Sequence, residues 1–343
     1  MVLRIAAYAG DSGGGKKKLY ITFTFCYAVY RSPLHLLPLS TRLRLLQDLS
    51  GLTQTELARR LDVSFVTLNR WANGRATPRH AALARIDRLL QEYLGTTAVI
   101  EDPLTAKKAA LRHRAQTSPN MLKTILRHQD ILDEFVLRLT YTSNRIEGST
   151  LTEAETAAVL FDGSAVPRRA LSDQIAAKNH QAALMALFLH LDLKGGIDEA
   201  LVLRLHGMLM NGLQEDAGRY RRHGVRIVGA NIPTANFLSV PQKTADLISD
   251  FQQRRDDAIR QAAEVHARFE QIHPFSDGNG RVGRLLLHAM LFRENLPPAV
   301  IRPERKRLYY AALNEAQRGG GTVRLEALFC DGILEGSRIM GRE

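Results

Sequence analysis

The chain has 343 residues with a formal net charge of +12, 45% hydrophobic and 24% charged residues, and only two cysteines. That length suits two domains, each able to bury a core; the distant Cys26 and Cys330 exclude a disulfide framework or a cysteine zinc site and fit a reducing cytoplasm. No stretch reaches the roughly 20 apolar residues of a membrane span, so no membrane partner is expected, and no secretory signal is read.

The charge is uneven along the chain. Residues 1–120 hold 18 Lys and Arg against 8 Asp and Glu, whereas residues 121–343 hold 29 against 27. An excess confined to the N-terminal third predicts a polyanion-binding module joined to a near-neutral domain. Near its start the chain carries "GDSGGGKKK" (10–18), which has glycine–lysine spacing but Lys17 where a phosphate loop needs Ser or Thr for magnesium. Residues 1–38 are therefore expected to be a flexible basic leader, one that could stand upstream of the natural start.

Residues 39–95 carry apolar residues at helical spacing, among them Leu43, Leu46, Leu57, Leu61, Leu68, Trp71, Ile86 and Leu90. Thr53-Gln-Thr-Glu56 is a capping box, Ser64 caps the next helix, and Asn73-Gly74 stops it. Two short helices joined by a tight turn form a helix-turn-helix. "LTQTELARRLDVS" and "LNRWANGRATP" resemble DNA-binding domains of the Cro and phage-repressor type. That resemblance implies a DNA partner, with Phe65, Val66, Thr67 and Arg70 facing the major groove and Gln54, Asn73 and Arg75 near phosphates. Phe65 and Val66 offer only apolar contact to a thymine methyl, whereas arginine reads guanine or holds phosphate.

Residues 96–120 show weak periodicity and are expected to be a connector. From 121 to 343 a second domain reads as helical, with segments near 121–144, 152–161, 170–191, 197–212, 242–271, 280–295, 304–317 and 324–337. Within it "TYTSNRIEGSTLT" (140–152) is a polar helix end closed by Gly148. "VRIVGANIPTANFLSVP" (225–241) reads as a β-hairpin. The expected fold class is all-α, a helix-turn-helix bundle plus a helical domain carrying this small β-hairpin flap.

"HPFSDGNGRVGR" (273–284) concentrates the chemistry. A helix ending near Ile272 delivers His273, and Pro274 stops it. Asp277-Gly278-Asn279-Gly280 is a turn whose backbone N–H groups can converge on an anion, and the helix that follows points its positive end at the same place. Arg281 and Arg284 lie on one face of that helix. Together these make a polyphosphate pocket in which Asp277 can hold Mg2+ between phosphate oxygens and His273, neutral at pH 7, can take a proton from an attacking hydroxyl.

The twelve residues resemble the complete Fic-family signature, and "AGRYRRHGVRIVG", "VHARFEQIHPF" and "RLYYAALNEA" extend the likeness over roughly 140–337. The resemblance implies an all-α enzyme that transfers the AMP of ATP onto a protein hydroxyl and releases pyrophosphate. By it, His273 is the base and Asp277 binds Mg2+. The backbone of Gly278, Asn279 and Gly280 and the Asn279 side chain cradle phosphates, and Arg281 and Arg284 grip the β- and γ-phosphates. Phe275 belongs to the nucleotide-binding loop, anchoring it from the core, and Tyr309 or Tyr310 lies on the adenine side or in the core. Residues 225–241 align the target protein as an added strand. Glycine at 280 favours nucleotidyl transfer over the lysine-bearing, phosphate-transferring relatives.

Ser143-x-x-x-Glu147-Gly148 resembles the family's inhibitory motif. A carboxylate brought to Arg284 would compete with the ATP γ-phosphate. The expected function is thus a cytoplasmic, autoinhibited protein adenylyltransferase, acting on a target or on itself and coupled to DNA binding. The alternatives are a DNA-binding regulator whose second domain senses nucleotide, and an enzyme that uses another donor or removes AMP. A homodimer is compatible with both resemblances.

Overall fold

The computed structural model describes residues 37–95, 100–226, 232–253 and 255–341, together with the backbone of two N-terminal strands. Those strands, β1 (Val2–Gly10) and β2 (Lys18–Cys26), pair antiparallel. Elsewhere the described residues contain helices and no strand, as the all-α expectation requires.

The first bundle comprises α1 (Leu39–Ser50), α2 (Gln54–Arg60), α3 (Phe65–Ala72) and α4 (His80–Leu94). The periodic residues do form its core: Leu43, Leu46, Leu57, Leu68, Trp71, Ile86 and Leu90 are all buried. Local chemistry sets the helix starts. The Glu56 N–H donates to Thr53 Oγ1 at 3.3 Å and the Thr53 N–H to the Glu56 carboxylate at 2.8 Å, the reciprocal capping of orphan donors. Ser64 Oγ accepts from the Thr67 N–H at 3.1 Å to start α3.

Residues 96–120, expected as a connector, instead hold α5 (Pro103–Thr117). Asp102 accepts the N–H groups of Leu104 and Thr105, and Pro103 occupies the first helical position, where its missing donor costs nothing. Weak amphipathicity follows from what α5 touches, since it packs between the two bundles. Lys107 bridges Asp48 of α1 and Asp331, and Lys108 bridges Asp257 and Glu326.

The second bundle contains α6 (Met121–Arg127), α7 (Gln129–Glu147), α8 (Glu153–Ala157, continued by a π-turn over Ala158–Asp162), α9 (Leu171–Asp192) and α10 (Glu199–Leu209). It is completed by α11 (Val240–Gln252), α12 (Ala258–Ile272), α13 (Asn279–Arg293), α14 (Lys306–Gln317) and α15 (Val323–Met340). Helix α13 is the axis: residues 281–292 are buried without interruption, so this helix is enclosed on all sides. Helices α12, α10, α7 and α9 surround it.

Two expected helices are each divided. The first breaks at His128, whose backbone is extended, and the second breaks before Asp257, which caps α12. The expected hairpin is also corrected. Residues 227–231 lie outside the described residues, and 225–226 and 232–241 hold no strand. Pro233 removes a ladder donor, Thr234 Oγ1 donates to the Val225 carbonyl at 2.9 Å, and Asn236 caps a short 3-10 turn at Phe237–Ser239.

Candidate active site

Helix α12 delivers His273 at its C-cap, where the backbone turns left-handed with φ +52°. A non-glycine residue seldom adopts that conformation, and surrounding contacts must hold it there. Arg221 does so. Only 2% exposed, it donates Nε–H to the His273 carbonyl at 2.7 Å, and its other nitrogens reach the carbonyls of His223, Ala235 and Ile272. Its own N–H donates to the Pro274 carbonyl at 3.0 Å.

The turn after His273 is braced from below. Asn279 Oδ1 accepts the Phe275 N–H and Asn279 Nδ2 donates to the Phe275 carbonyl, both at 2.9 Å. The Phe275 ring is fully buried and stacks on His206 with centroids 3.7 Å apart. His206 Nδ1 accepts the Gly218 N–H at 2.9 Å, so its Nε2–H donates to the Asp277 carbonyl at 3.1 Å. Burial lowers the His206 pKa to about 4, which keeps that ring neutral. Gly278 has φ +80°, and a Cβ there would lie 2.7 Å from Met210 Sδ, so glycine is required on both counts.

Above this brace the polar groups converge. His273 Nδ1 donates to the Glu270 carbonyl at 3.1 Å; a carbonyl can only accept, so Nε2 keeps its lone pair. Burial lowers the His273 pKa from its ordinary value, leaving the ring neutral at pH 7. Asp277 Oδ1 accepts the Gly278 N–H at 2.6 Å, and Oδ2 accepts from Arg281 at 3.3 Å. Arg284, 3% exposed, donates Nε–H to Ser143 Oγ at 2.9 Å and Nη2–H to the Ser143 carbonyl at 3.1 Å and to Glu147 Oε1 at 2.7 Å. Burial alone would lower the Arg284 pKa, but Glu147, Tyr309 and Glu270 together outweigh it and the net shift is upward. Glu147 ends α7, and Gly148 closes that helix at φ +109°. A Cβ on Gly280 would lie 2.2 Å from Glu147 Oε1, so this carboxylate sits over the first turn of α13.

The structure thus brings together His273, Asp277, Gly278, Gly280, Arg281, Arg284, Ser143 and Glu147. One expected ligand contact differs, that of the Asn279 side chain, whereas Phe275 anchors the loop from the core as expected. Both ends of the Asn279 amide are engaged by Phe275, so this side chain braces the turn instead of facing an anion. The Phe275 ring is core. Tyr309 is core as well, 1% exposed and 2.6 Å from His266 Nε2, whereas Tyr310 is exposed and its hydroxyl donates to the Ile146 carbonyl at 3.4 Å. Arg221 and His206 were absent from the sequence-based set. The only local signal for Arg221 was its place in the conspicuously basic "RYRR".

Comparison with known proteins decides the family. The Fic/DOC family pattern matches residues 196–291, and a helix-turn-helix domain pattern matches residues 38–92. Residues 196–291 of the second bundle thus match the Fic/DOC family. Protein adenylyltransferase Fic of Nematostella vectensis is 30% identical over 264 residues, covering 69% of this chain and 61% of that protein. Protein adenylyltransferase fic-1 of Caenorhabditis elegans is 31% identical over 252 residues, covering 65% of this chain and 48% of that one. The chain therefore spans about half to three-fifths of these curated relatives. Among solved structures, a Fic-domain-containing signaling protein from Bacteroides thetaiotaomicron superposes with a TM-score of 0.56 at 22% identity, covering 67% of this chain and 94% of that one. A fragment of C. elegans Fic-1 does so with a TM-score of 0.56 at 23% identity, covering 86% and 97%. At these identities the superpositions speak for the Fic fold alone.

On the helix-turn-helix, Phe65, Val66, Arg70 and Arg75 are exposed. Thr67 is half-buried with its hydroxyl 2.9 Å from Ser64 Oγ, and Gln54 is half-buried, its carbonyl accepting from Asn69 at 3.5 Å. Asn73 Nδ2 donates to the Asn69 carbonyl at 2.8 Å. No helix among the described residues is long and apolar enough to cross a membrane.

Proposed function

We propose that this protein transfers the AMP of ATP to a hydroxyl side chain of a target protein or of itself, that Glu147 restrains the reaction, and that the helix-turn-helix binds DNA. The observation that carries the reading is a neutral histidine whose free Nε2 stands beside a helix N-terminus flanked by two buried arginines.

ATP would lie across the start of α13. The backbone N–H groups at 278–280 and the helix dipole would hold its phosphates, with Arg281 and Arg284 at the outer ones. Asp277 would hold Mg2+. A single carboxylate suits an ion that takes its remaining ligands from phosphates and water, and no cluster of three or more ligating side chains forms among the described residues. When bound, the ion would neutralise charge on the departing phosphates. His273 Nε2 takes the proton of the target hydroxyl, whose oxygen attacks the α-phosphorus. The bond from that phosphorus to the bridging oxygen breaks, and pyrophosphate leaves with the electron pair. The brace of Arg221, Asn279 and His206 holds the geometry without touching the reacting atoms.

Glu147 occupies the Arg284 nitrogen that a γ-phosphate would use, which supports the autoinhibitory reading. Exposed Phe65, Val66, Arg70 and Arg75 on a basic module support DNA binding, with Gln54, Thr67 and Asn73 at its edges. The 225–241 segment remains the proposed docking region for the target, through its backbone.

The test is donor-specific labelling. ATP labelled at the α-position should mark protein when mixed with Glu147→Gly and a cell lysate, and ATP labelled at the γ-position should not. Label from the γ-position would point to phosphate transfer. Tight ATP binding with no label from either position would favour the nucleotide-sensing regulator.

A further inference from the structure

Beside Arg284 stands a buried carboxyl that AMP transfer does not use. Glu270 stands on α12 one turn before His273, 8% exposed, and its Oε1 is buried with no hydrogen-bond partner. It presses on α13: a Cβ added to Gly283 would lie 2.6 Å from Oε1. The next residue on α13, Arg284, keeps its Nη1 buried and equally unpartnered, while Nε and Nη2 are taken by Ser143 and Glu147. A buried acceptor and a buried donor therefore sit on touching helices, each carrying an unmet desolvation cost.

We propose that Glu270 is the alternate carboxyl partner of Arg284, a neutral acid while Glu147 holds the guanidinium and an ionised one that keeps Arg284 in place when Glu147 withdraws. Glu270 is thus a positioning residue. It acts through Arg284, and the inference rests on the autoinhibitory reading of Glu147.

The groups facing Glu270 are Glu147 from α7, Arg284 from α13, Tyr309 and Tyr310 from α14, and His266 from its own helix. Burial and, after it, the Glu147 charge raise the Glu270 pKa and Arg284 opposes both, with a net value of about 8. The tyrosine hydroxyls are pushed upward and stay neutral, and burial lowers the His266 pKa to about 3, so that ring stays uncharged. The charge balance at Glu270 is therefore set by Glu147 and Arg284. Withdrawal of Glu147 removes a repulsion and frees a cation at once. Glu270 then releases one proton to solvent. A polyphosphate arriving at Arg284 reverses the change, because a second anion there favours the neutral acid.

The decisive measurement uses full-length, nucleotide-free protein with glutamate 13C-labelled at the side-chain carboxyl. Wild type should show one glutamate carboxyl neutral at pH 7 and titrating near pH 8. In Glu147→Gly its midpoint should fall by more than one pH unit, a shift of about tenfold in the protonation equilibrium. An unchanged midpoint would overturn the proposal. The isosteric Glu270→Gln assigns the signal by its loss, and Glu270→Asp does so if the first variant does not fold.

A second reading compares the Mg-ATP dissociation constants of Glu147→Gly and Glu147→Gly/Glu270→Gln from pH 6 to pH 8.5. The ratio cancels the titration of ATP itself. It should change about tenfold across that range, because only the single variant must reprotonate Glu270 to bind; a constant ratio would overturn the proposal. The first measurement contains no nucleotide, so the proposal and the AMP-transfer reading can fail separately.

Discussion

Removing the Glu147 carboxylate should tighten nucleotide binding by an amount the structure bounds. Its Oε1 lies 2.7 Å from Arg284 Nη2, in a pair whose side chains are 30% and 3% exposed. A hydrogen bond between such charged groups contributes about 1.5–3 kcal/mol net, and partial exposure of the carboxylate favours the lower part of that range. A γ-phosphate that takes the same nitrogen must first displace the carboxylate. Glu147→Gly should therefore lower the dissociation constant of Mg-ATP by roughly 10- to 150-fold, since each 1.4 kcal/mol is about tenfold. Ser143 still holds Arg284 through Nε and Nη2 in the variant, so the arginine stays in place and the gain is not lost to a collapsed pocket. Titration calorimetry on both proteins at one pH and salt concentration reads the ratio. Equal dissociation constants would refute competition at Arg284, however active the variant proved.

Other expectations follow from the same contacts. Because burial lowers the His273 pKa, the base is already neutral at pH 7, and the transfer rate of Glu147→Gly at saturating Mg-ATP should stay level from pH 7 to 8 and fall only on the acid side; an acid limb centred above pH 7 would contradict this. Arg221→Ala strands the carbonyls of His273, His223 and Ala235 and should cost about 2–5 kcal/mol, read as a fall of several degrees in Tm, which Arg221→Lys should not repair because lysine lacks the planar fork. Gly278→Ala places a Cβ 2.7 Å from Met210 Sδ at φ +80°, and should lower Tm and transfer together; a stable, active variant would show that the turn is not pinned there. For the helix-turn-helix, Arg70→Ala should weaken binding to a selected DNA site by about 1–3 kcal/mol if the side chain reads a base, whereas a flatter salt dependence with equal loss on all sequences would assign it to phosphate.

What was legible in the sequence was what local chemistry controls. The Thr53–Glu56 box, the Ser64 cap and the buried leucine periods are written in spacings of three and four, and the bonds form as expected. The twelve residues from His273 to Arg284 were legible because the turn, the helix start and the arginine pair are contiguous. Even the long-range contact between Glu147 and Arg284 could be expected, through the resemblance of its flanking residues.

Contacts that only packing creates were not legible. Nothing in "RYRR" tells which arginine is buried under His273; that follows from the carbonyls of three separate segments meeting around Arg221. Asn279 looks like a phosphate ligand in sequence, but its amide matches the backbone of Phe275 four residues earlier and is taken by it. Helix α5 was missed because its residues serve two neighbours at once and so lack a single apolar face, although Asp102-Pro103 marked its start. The hairpin expected around the Pro/Asn-containing loop of 225–241 is not seen among the described residues, which there hold turns set by Pro233 and Asn236.

The most direct test of the central claim is the transfer of α-labelled AMP to the protein by Glu147→Gly and by Glu147→Gly/His273→Ala, with Mg-ATP binding measured on the same samples. The account predicts strong labelling of the first, labelling reduced by at least about 100-fold in the second, and nucleotide binding by both. Equal labelling of the two variants would contradict His273 as the base, and binding without labelling in either would contradict AMP transfer itself.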